Sequence, residues 1–258
     1  AEHSALLKAD PRLRLYASPS TSFTGFNLNL AKAPFQDVRV RQAFRLLADR
    51  QELVARGLNG FGRVANDLYS PHDPTFNPAI AQRPYALDQA RSLLRQAGQD
   101  DLRVALTTTP GPGVNAALVF AQQALKAGVQ VKVNQVDGSV FNGPQREQWQ
   151  LSPGSTPARG FLASALHNDA PQAIYNRSNF HDPRFTELFQ QALAQPDLAR
   201  RRALVHEAQA IQHERGGLLI WGFSDVLDAA ASRVGGLAPE QTTFASWRFD
   251  ELWLNPNA

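Results

Sequence analysis

The chain has 258 residues, 43% of them hydrophobic and 19% charged, enough for one large domain or two small ones with a substantial core. Its formal charge is only +3, and the arginines are scattered apart from Arg200, Arg201 and Arg202, which speaks against a nucleic-acid partner. The absence of cysteine excludes disulfides, thiolate metal sites and cysteine nucleophiles, and no apolar run approaches the roughly 18 residues of a membrane span. Methionine is absent too, start included, so we expect both an excised piece of a longer protein and methionine positions dropped from the sequence.

Leu13 to Ala17 and Phe23 to Leu30 read as two extended segments around a Ser/Thr/Pro turn. Asp37 is a good N-cap for a helix over 38 to 48. Val38, Ala43, Phe44, Leu47 and Ala48 supply its apolar positions, and Arg39, Arg41, Arg45 and Arg50 are expected to stay solvated. Asp49 caps a second short helix through Glu52 to Arg56, ended by Asn59 and Gly60. Residues 63 to 84, rich in Pro, Asn and Asp, are expected to form a long surface connection.

Tyr85 opens a helix with Ala90, Leu93, Leu94 and Ala97 on one face and Gly98 as its stop. A strand at 102–108, a helix at 114–127 and a strand at 129–136 imply a parallel pair with a right-handed crossover. Residues 142 to 182 are proline-rich with little periodicity and are expected to be loops. Two helices follow at roughly 184–194 and 198–214, capped by Asp182 and Asp197, the second bearing Leu204, Ala208 and Ile211 inward. Leu218 to Phe223 reads as a buried strand, and Arg233 to Pro239 leads through a turn to terminal segments near Phe244 to Leu254.

Chemistry-bearing motifs are weak. G-P-G-V-N-A at 111–116, with Asp137 after the next strand, imitates a dinucleotide fingerprint, but Thr107, Thr108, Thr109 and Pro110 intervene where a tight turn is required. His206-Glu207 lacks a second histidine, since Ala210 stands at that place, and His3, His72, His167 and His181 fall in separate loops, so no metal is expected. There is no G-x-S-x-G elbow and no Ser-x-x-Lys, and the pairs Asp100-Asp101 and Asp250-Glu251 sit at element edges, where capping is the default.

The words of the chain say more. P-F-Q-D-V-R-V-R-Q-A-F followed by A-D-R resembles the hinge-entry segment of family 5 extracellular solute-binding proteins, the receptors of ABC importers for peptides, nickel and oligosaccharides. In matching order come Phe61-Gly62-x-x-Ala65-Asn66, Y-A-L-D-Q-A-R-S-L-L-R-Q-A-G, D-P-R-F-T-E-L-F-Q-Q-A, R-R-A-L-V-H-E-A-Q-A-I, and G-G-L-L-I-W-G-F with R-V-G-G-L. The chain is similar to the C-terminal lobe of that family without the N-terminal one. Where many peptide receptors carry W-x-x-D-Y-P-D-P near the ligand, it offers only Trp149 and then S-T-P-A-R-G-F-L, so no aspartate for a ligand ammonium is assigned.

The resemblance implies an α/β fold, the C-terminal lobe of a two-lobe periplasmic-binding-protein-like architecture (type II, family 5) with a mixed sheet and flanking helices. It divides the chain into crossing strands and hinge (1–34), a ligand-binding lobe (35–235) and a return segment towards the other lobe (236–258). It implies a monomeric receptor in a periplasm or outside the cell, possible lipid anchoring included, that closes on a small solute, an oligopeptide first among them. It would then serve ABC permease subunits, with no chemical step, cofactor or nucleic acid. Loops after strand ends supply the ligand-binding candidates. Arg159 could pair with a carboxylate or phosphate, Asn176 could hydrogen-bond, and Trp149 and Trp221 could stack on apolar or sugar faces. The plainer readings are a solvated arginine, a turn-forming asparagine and core tryptophans. The competing class is an independently folded α/β enzyme or nucleotide-binding domain using the 107–113 loop, which would show a closed pocket lined by paired titratable groups.

Overall fold

The computed structural model describes residues 4–240 and 247–255. Its centre is a six-stranded mixed sheet formed by β1 (Leu13–Leu28), β2 (Gly62–Val64), β3 (Arg103–Thr108), β4 (Gln130–Gln135), β5 (Leu151–Thr156) and β6 (Leu218–Ala231), in the order β2-β6-β1-β5-β3-β4. The β3–β4 pair is parallel with α5 (Pro112–Leu125) between its strands, as the strand-helix-strand pattern predicts, and β5 runs parallel to β3 on the other side. The long strands β1 and β6 pair antiparallel.

The run L-L-I-W-G-F explains why helices cover both faces. Leu219 and Trp221 enter one core with Phe26, Leu28 and Phe120, while Leu218, Ile220 and Phe223 enter the other with Phe23, Phe161, Phe185 and Phe189. A strand apolar on both sides must be covered on both faces, because its side chains alternate between them. The first core is covered by α2 (Val38–Leu47), α3 (Arg50–Gly57), α4 (Leu87–Gln96) and α5, the second by α7 (Phe161–Asn168), α8 (Pro183–Ala194) and α9 (Leu198–Arg215).

Helix ends follow local chemistry. The carboxylates of Asp37, Asp49, Asp182 and Asp197 accept from backbone N–H groups of Arg39, Glu52, Phe185 and Arg200, and Gly98 and Gly128 adopt positive φ after α4 and α5. Gly25 sits at a register shift of β1, where a Cβ would lie 2.4 Å from the Leu219 carbonyl.

Several expectations are corrected. Leu13 to Leu28 is one strand with irregularities between Ser18 and Ser22 and at Thr24–Gly25, because β6 pairs with Leu13–Ser18 and again with Ser22–Asn27 and so carries the strand past the Ser/Pro turn signal. Its outer part, Leu13–Ser18, pairs only with Val226–Ala231, so a two-stranded ribbon leaves the sheet. Residues 142 to 182 hold β5 and α7 besides loops; β5 pairs with both β1 and β3, so tertiary pairing makes a strand of L-S-P-G-S-T. The 63–84 connection is superficial only in parts, since Ala65, Asp67, Leu68, Tyr69, Ser70 and Thr75 are buried. A short helix α1 (Ser4–Ala9), another, α6 (Gly138–Asn142), and a small pair of β7 (Val234–Gly235) with β8 (Trp253–Leu254) complete the description. Phe244 and His3 lie outside the described residues.

The largest correction concerns the arginines. Arg39 is exposed and pairs with Asp37, but Arg41, Arg45 and Arg50 are buried. Arg50 donates to Asp67 Oδ2 at 2.8 Å, Arg83 donates to the same oxygen at 2.9 Å, and Arg45 Nε stands 3.9 Å from it. Arg41 is used differently, donating to the carbonyls of Phe35 and Arg215. Desolvation pushes Asp67 up, but Arg50, Arg45 and Arg83 together outweigh it and hold the carboxyl below its usual range, while burial lowers Arg45 to about 10. Removing the shared carboxylate strands buried cations. Asp67→Asn should cost about 3–5 kcal/mol in denaturant unfolding, whereas Arg39→Gln at an exposed pair should cost about 1 kcal/mol or less.

Candidate functional site

A cleft of about 420 Å³ opens where β3 and β5 end. Its floor is Trp221 of β6 with Thr24 and Asn27 of β1; Thr108 ends β3 and Thr109 follows it, and Pro153, Gly154 and Ser155 belong to β5. The first turn of α5 contributes Gly113 and Ala116, and Asn168, Tyr175 and Arg177 form the wall beyond α7. Open α/β sheets place ligands here because parallel strands end and helices begin around one crevice.

Close backbone approach shapes the floor. A Cβ on Gly154 would come within 2.7 Å of Asn27 Nδ2, the group that donates to the Pro153 carbonyl at 3.1 Å. Trp221 is buried, and its indole N–H has no acceptor among the described residues.

The wall is a tight turn. Asn176 Nδ2 donates to the Phe180 carbonyl, and its Oδ1 accepts from the Phe180 N–H at 3.0 Å and the Ser178 hydroxyl at 3.1 Å. With its amide so used, Asn176 sets the backbone that carries its two neighbours into the cleft lining. Tyr175 stacks on His167 with ring centroids 4.3 Å apart. Arg177 lies over the Phe141 ring at 5.1 Å and donates to Asn142 Oδ1 at 2.6 Å. Partial burial, then the nearby Arg146, lowers the pKa of Arg177.

Of the four sequence candidates, the structure brings Trp221 to the cleft. Trp149 lies behind the wall, its indole donating to the Phe141 carbonyl at 3.2 Å. Arg159 is exposed outside the cleft lining, with its carbonyl accepting from Ser70 Oγ at 2.6 Å, and Asn176 serves the turn. Sequence reasoning missed Tyr175, Arg177 and Asn27, while the 107–113 loop was named only for the competing enzyme or nucleotide-binding reading. The triplet Y-N-R carried the one available signal, a turn residue flanked by an aromatic and a cation. Thr108, Thr109 and Gly113 of the 107–113 segment line the same open cleft.

Elsewhere the described residues contain no group of three or more His, Asp or Glu able to hold a metal, and no helix long and apolar enough to cross a membrane. His206 reaches the Phe76 carbonyl at 3.2 Å, and Glu207 pairs with Arg184.

The sequence model of bacterial extracellular solute-binding proteins, family 5 Middle, matches residues 1–195. The chain belongs to this family. Among this family 5 chain's relatives, the dipeptide-binding protein of Escherichia coli K12 is 25% identical over 246 residues, 90% of the chain and 46% of the relative. Heme-binding protein A of Haemophilus influenzae is 27% identical over 227 residues, 82% and 41% respectively. The Helicobacter pylori periplasmic binding protein DppA, solved with the peptide STSA, superposes with a TM-score of 0.85 at 21% identity, covering 98% of this chain and 51% of that one. The chain thus spans about half the length of the relatives it matches, and its α/β fold is that of half of a family 5 binding protein.

Immediately behind the cleft, Asp169 is buried and accepts from Tyr69 Oη at 2.9 Å and Gln212 Nε2 at 2.7 Å, while its Oδ1 has no partner among the described residues. Burial pushes its carboxyl from 3.8 up to about 7. The folded state therefore holds a proton that the unfolded state releases, so this contribution is full below pH 3.8 and is lost as pH rises to about 7. Asp169→Asn, which mimics the protonated acid, should remove that loss and stabilise the protein at neutral pH by on the order of a few kcal/mol relative to wild type. Thermal unfolding of both forms across pH 4–8 checks this.

Proposed function

We propose that this chain is the cleft-bearing C-terminal lobe of an ABC-importer receptor that captures a small solute, of the peptide class first, and presents the closed form to permease subunits. The observation that carries the reading is an open cleft at the strand ends, walled from one side by a rigid α/β lobe. Closing such a cleft requires a second lobe, and a solute drives closure only through contacts that the closed state adds. Two features support a partner lobe. The ribbon of Leu13–Ser18 with Val226–Ala231 extends beyond the sheet, as a hinge between lobes would, and Trp247, Phe249, Trp253 and Leu254 are more than half exposed near the end of the chain. On this reading 1–34 is crossing strand and hinge, 35–235 the binding lobe and 236–258 the return segment.

The protein would work as a monomer in a periplasm or outside the cell, with lipid anchoring an open property of the whole molecule. Relatives described as binding dipeptides and glutathione support a peptide-like solute, and the heme-binding relative shows how wide the family's chemistry runs. Trp221 is the proposed ligand contact, an aromatic floor whose buried N–H has no acceptor among the described residues. Trp149 and Asn176 would act through the wall they brace, and Arg159 only in a closed form.

Calorimetry of the intact protein against di- and oligopeptides, nickel chelates and oligosaccharides should give saturable binding of one class and no turnover. Trp221→Phe, which keeps an aromatic face but replaces the indole by a smaller ring without the N–H, should weaken that binding by about 1 kcal/mol. Turnover of any bound solute would contradict the receptor reading.

A further inference from the structure

We propose that the arginines around the start of α9 form a membrane-orienting surface, a basic and partly apolar rim that meets anionic phospholipid headgroups and turns the cleft mouth towards the bilayer. The proposal rests on the receptor reading only for why a membrane is near; the surface itself follows from charge and placement. Arg159 stands in the segment between β5 and α7, and Arg200, Arg201 and Arg202 follow the Asp197 cap of α9. Tertiary contacts bring the two stretches together. Arg202 Nε donates to the Pro74 carbonyl at 3.0 Å, and the neighbouring Asp73 Oδ2 accepts from the Phe161 N–H at 2.7 Å, where α7 begins. A groove of about 200 Å³ lies between them, with Pro74, Leu162, Ala163, Leu198 and Arg201 in its lining. This rim is at the cleft end of the sheet. β5 ends at Thr156, shortly before Arg159, and Thr156 Oγ1 donates to Asn168 Oδ1, which lines the cleft at the far end of α7.

Contacts within the lobe do not account for the charge. None of Arg159, Arg200, Arg201 and Arg202 makes an ion pair within 4.0 Å among the described residues, whereas Arg39, Arg56 and Arg184, exposed on α2, α3 and α8, each have a carboxylate partner. The carboxylates of the same segments are engaged by the backbone: Asp73 accepts from the N–H groups of Thr75 and Phe161, and Asp197 from that of Arg200. The first turn of α9 holds no acidic residue, so its arginines sit at the positive end of the helix, a mildly unfavourable place for a cation. Apolar side chains share the surface. Leu198 is 45% exposed, and Leu166, one turn beyond Ala163 on α7, is 56% exposed. Guanidinium forks take phosphate oxygens in bidentate fashion, and leucines beside them suit the boundary between headgroups and acyl chains. An anionic leaflet offers that complement to the whole rim at once, and its pull on one end of the lobe turns the molecule as well as holding it.

The test is co-sedimentation of the intact protein with vesicles of phosphatidylglycerol and phosphatidylcholine in equal parts, against vesicles of phosphatidylcholine alone. Binding to the anionic vesicles should be at least tenfold stronger and should vanish near about 0.5 M salt, where screening is complete within a few ångströms. An arginine near an anionic surface contributes about fivefold to partitioning, so Arg200→Gln with Arg202→Gln should weaken binding by about twenty-fivefold. Arg39→Gln with Arg56→Gln, which removes the same charge from helices over the other core, should leave it unchanged. Equal binding to both kinds of vesicle overturns the proposal and needs no variant to fold; equal losses in the two double variants overturn it as well, by tracing the effect to net charge. Binding of poly-L-glutamate that is lost in Arg200→Gln with Arg202→Gln, without any preference for anionic vesicles, would assign the rim to an acidic protein surface and overturn the lipid reading. A thermal midpoint at or above that of wild type shows that the variant has folded. Every one of these failures leaves the receptor reading standing, because solute calorimetry decides that separately.

Discussion

A single carboxylate, that of Asp67, holds the two cores in register. It reaches inward from a segment that follows β2 along the edge of β6, where the N–H groups of Ala65 and Asp67 donate to the carbonyls of Trp221 and Ile220. Arg50 comes to it from α3, Arg83 from the long connection, and Arg45 from α2. Arg83 also donates to the His213 carbonyl and ring, joining α9 to the same node, and Arg45 donates to the carbonyls of Gly216 and Leu218 where β6 begins. Elements from both faces of the sheet thereby converge on one buried anion, whose Oδ2 meets all three arginines while its Oδ1 has no hydrogen-bond partner among the described residues. Such a network is worth little as net stability but a great deal against partial assemblies, because any missing member leaves a desolvated charge.

The cleft inherits its rigidity from this arrangement. Trp221 lies on β6 directly within the segment that Asp67 and Arg45 pin, and packs in the aromatic group of Phe26 and Phe120. The wall is braced from the other core, through α7 and the buried set of Tyr69, Asp169 and Gln212. Here the charge logic reverses. Asp67 is kept ionised by arginines, whereas Asp169, with only neutral donors, is pushed towards its protonated form. Two buried aspartates in one domain thus respond to pH in opposite directions, one losing its contribution as pH falls and the other as pH rises.

Much of this fold is legible in the residues. The caps Asp37, Asp49, Asp182 and Asp197 act within their own turns, the glycine stops need only a positive φ, and the L-L-I-W-G-F run announces a doubly buried strand. Family membership was legible too, since the matching words recur in order along the chain. Of the four residues singled out in the sequence, Trp221 comes to line the cleft, and Asn176 forms the turn that presents Tyr175 and Arg177. What failed were readings that depend on distant partners. An arginine on a polar-looking helix face reads as solvated until Asp67, from a segment beyond the next helix, arrives to pair with it.

By itself, then, the sequence determined what local chemistry can enforce: helix starts and stops, the parallel strand-helix-strand unit, the central buried strand and the family. The tertiary structure alone decided that L-S-P-G-S-T is a strand, since β1 and β3 supply its ladder, and that Leu13 to Leu28 is unbroken, since β6 pairs along it. It alone decided which arginines are buried around Asp67 and which one lines the cleft. Charge pairing and strand pairing join residues far apart in the chain, and no window of neighbouring residues contains the partner that settles them.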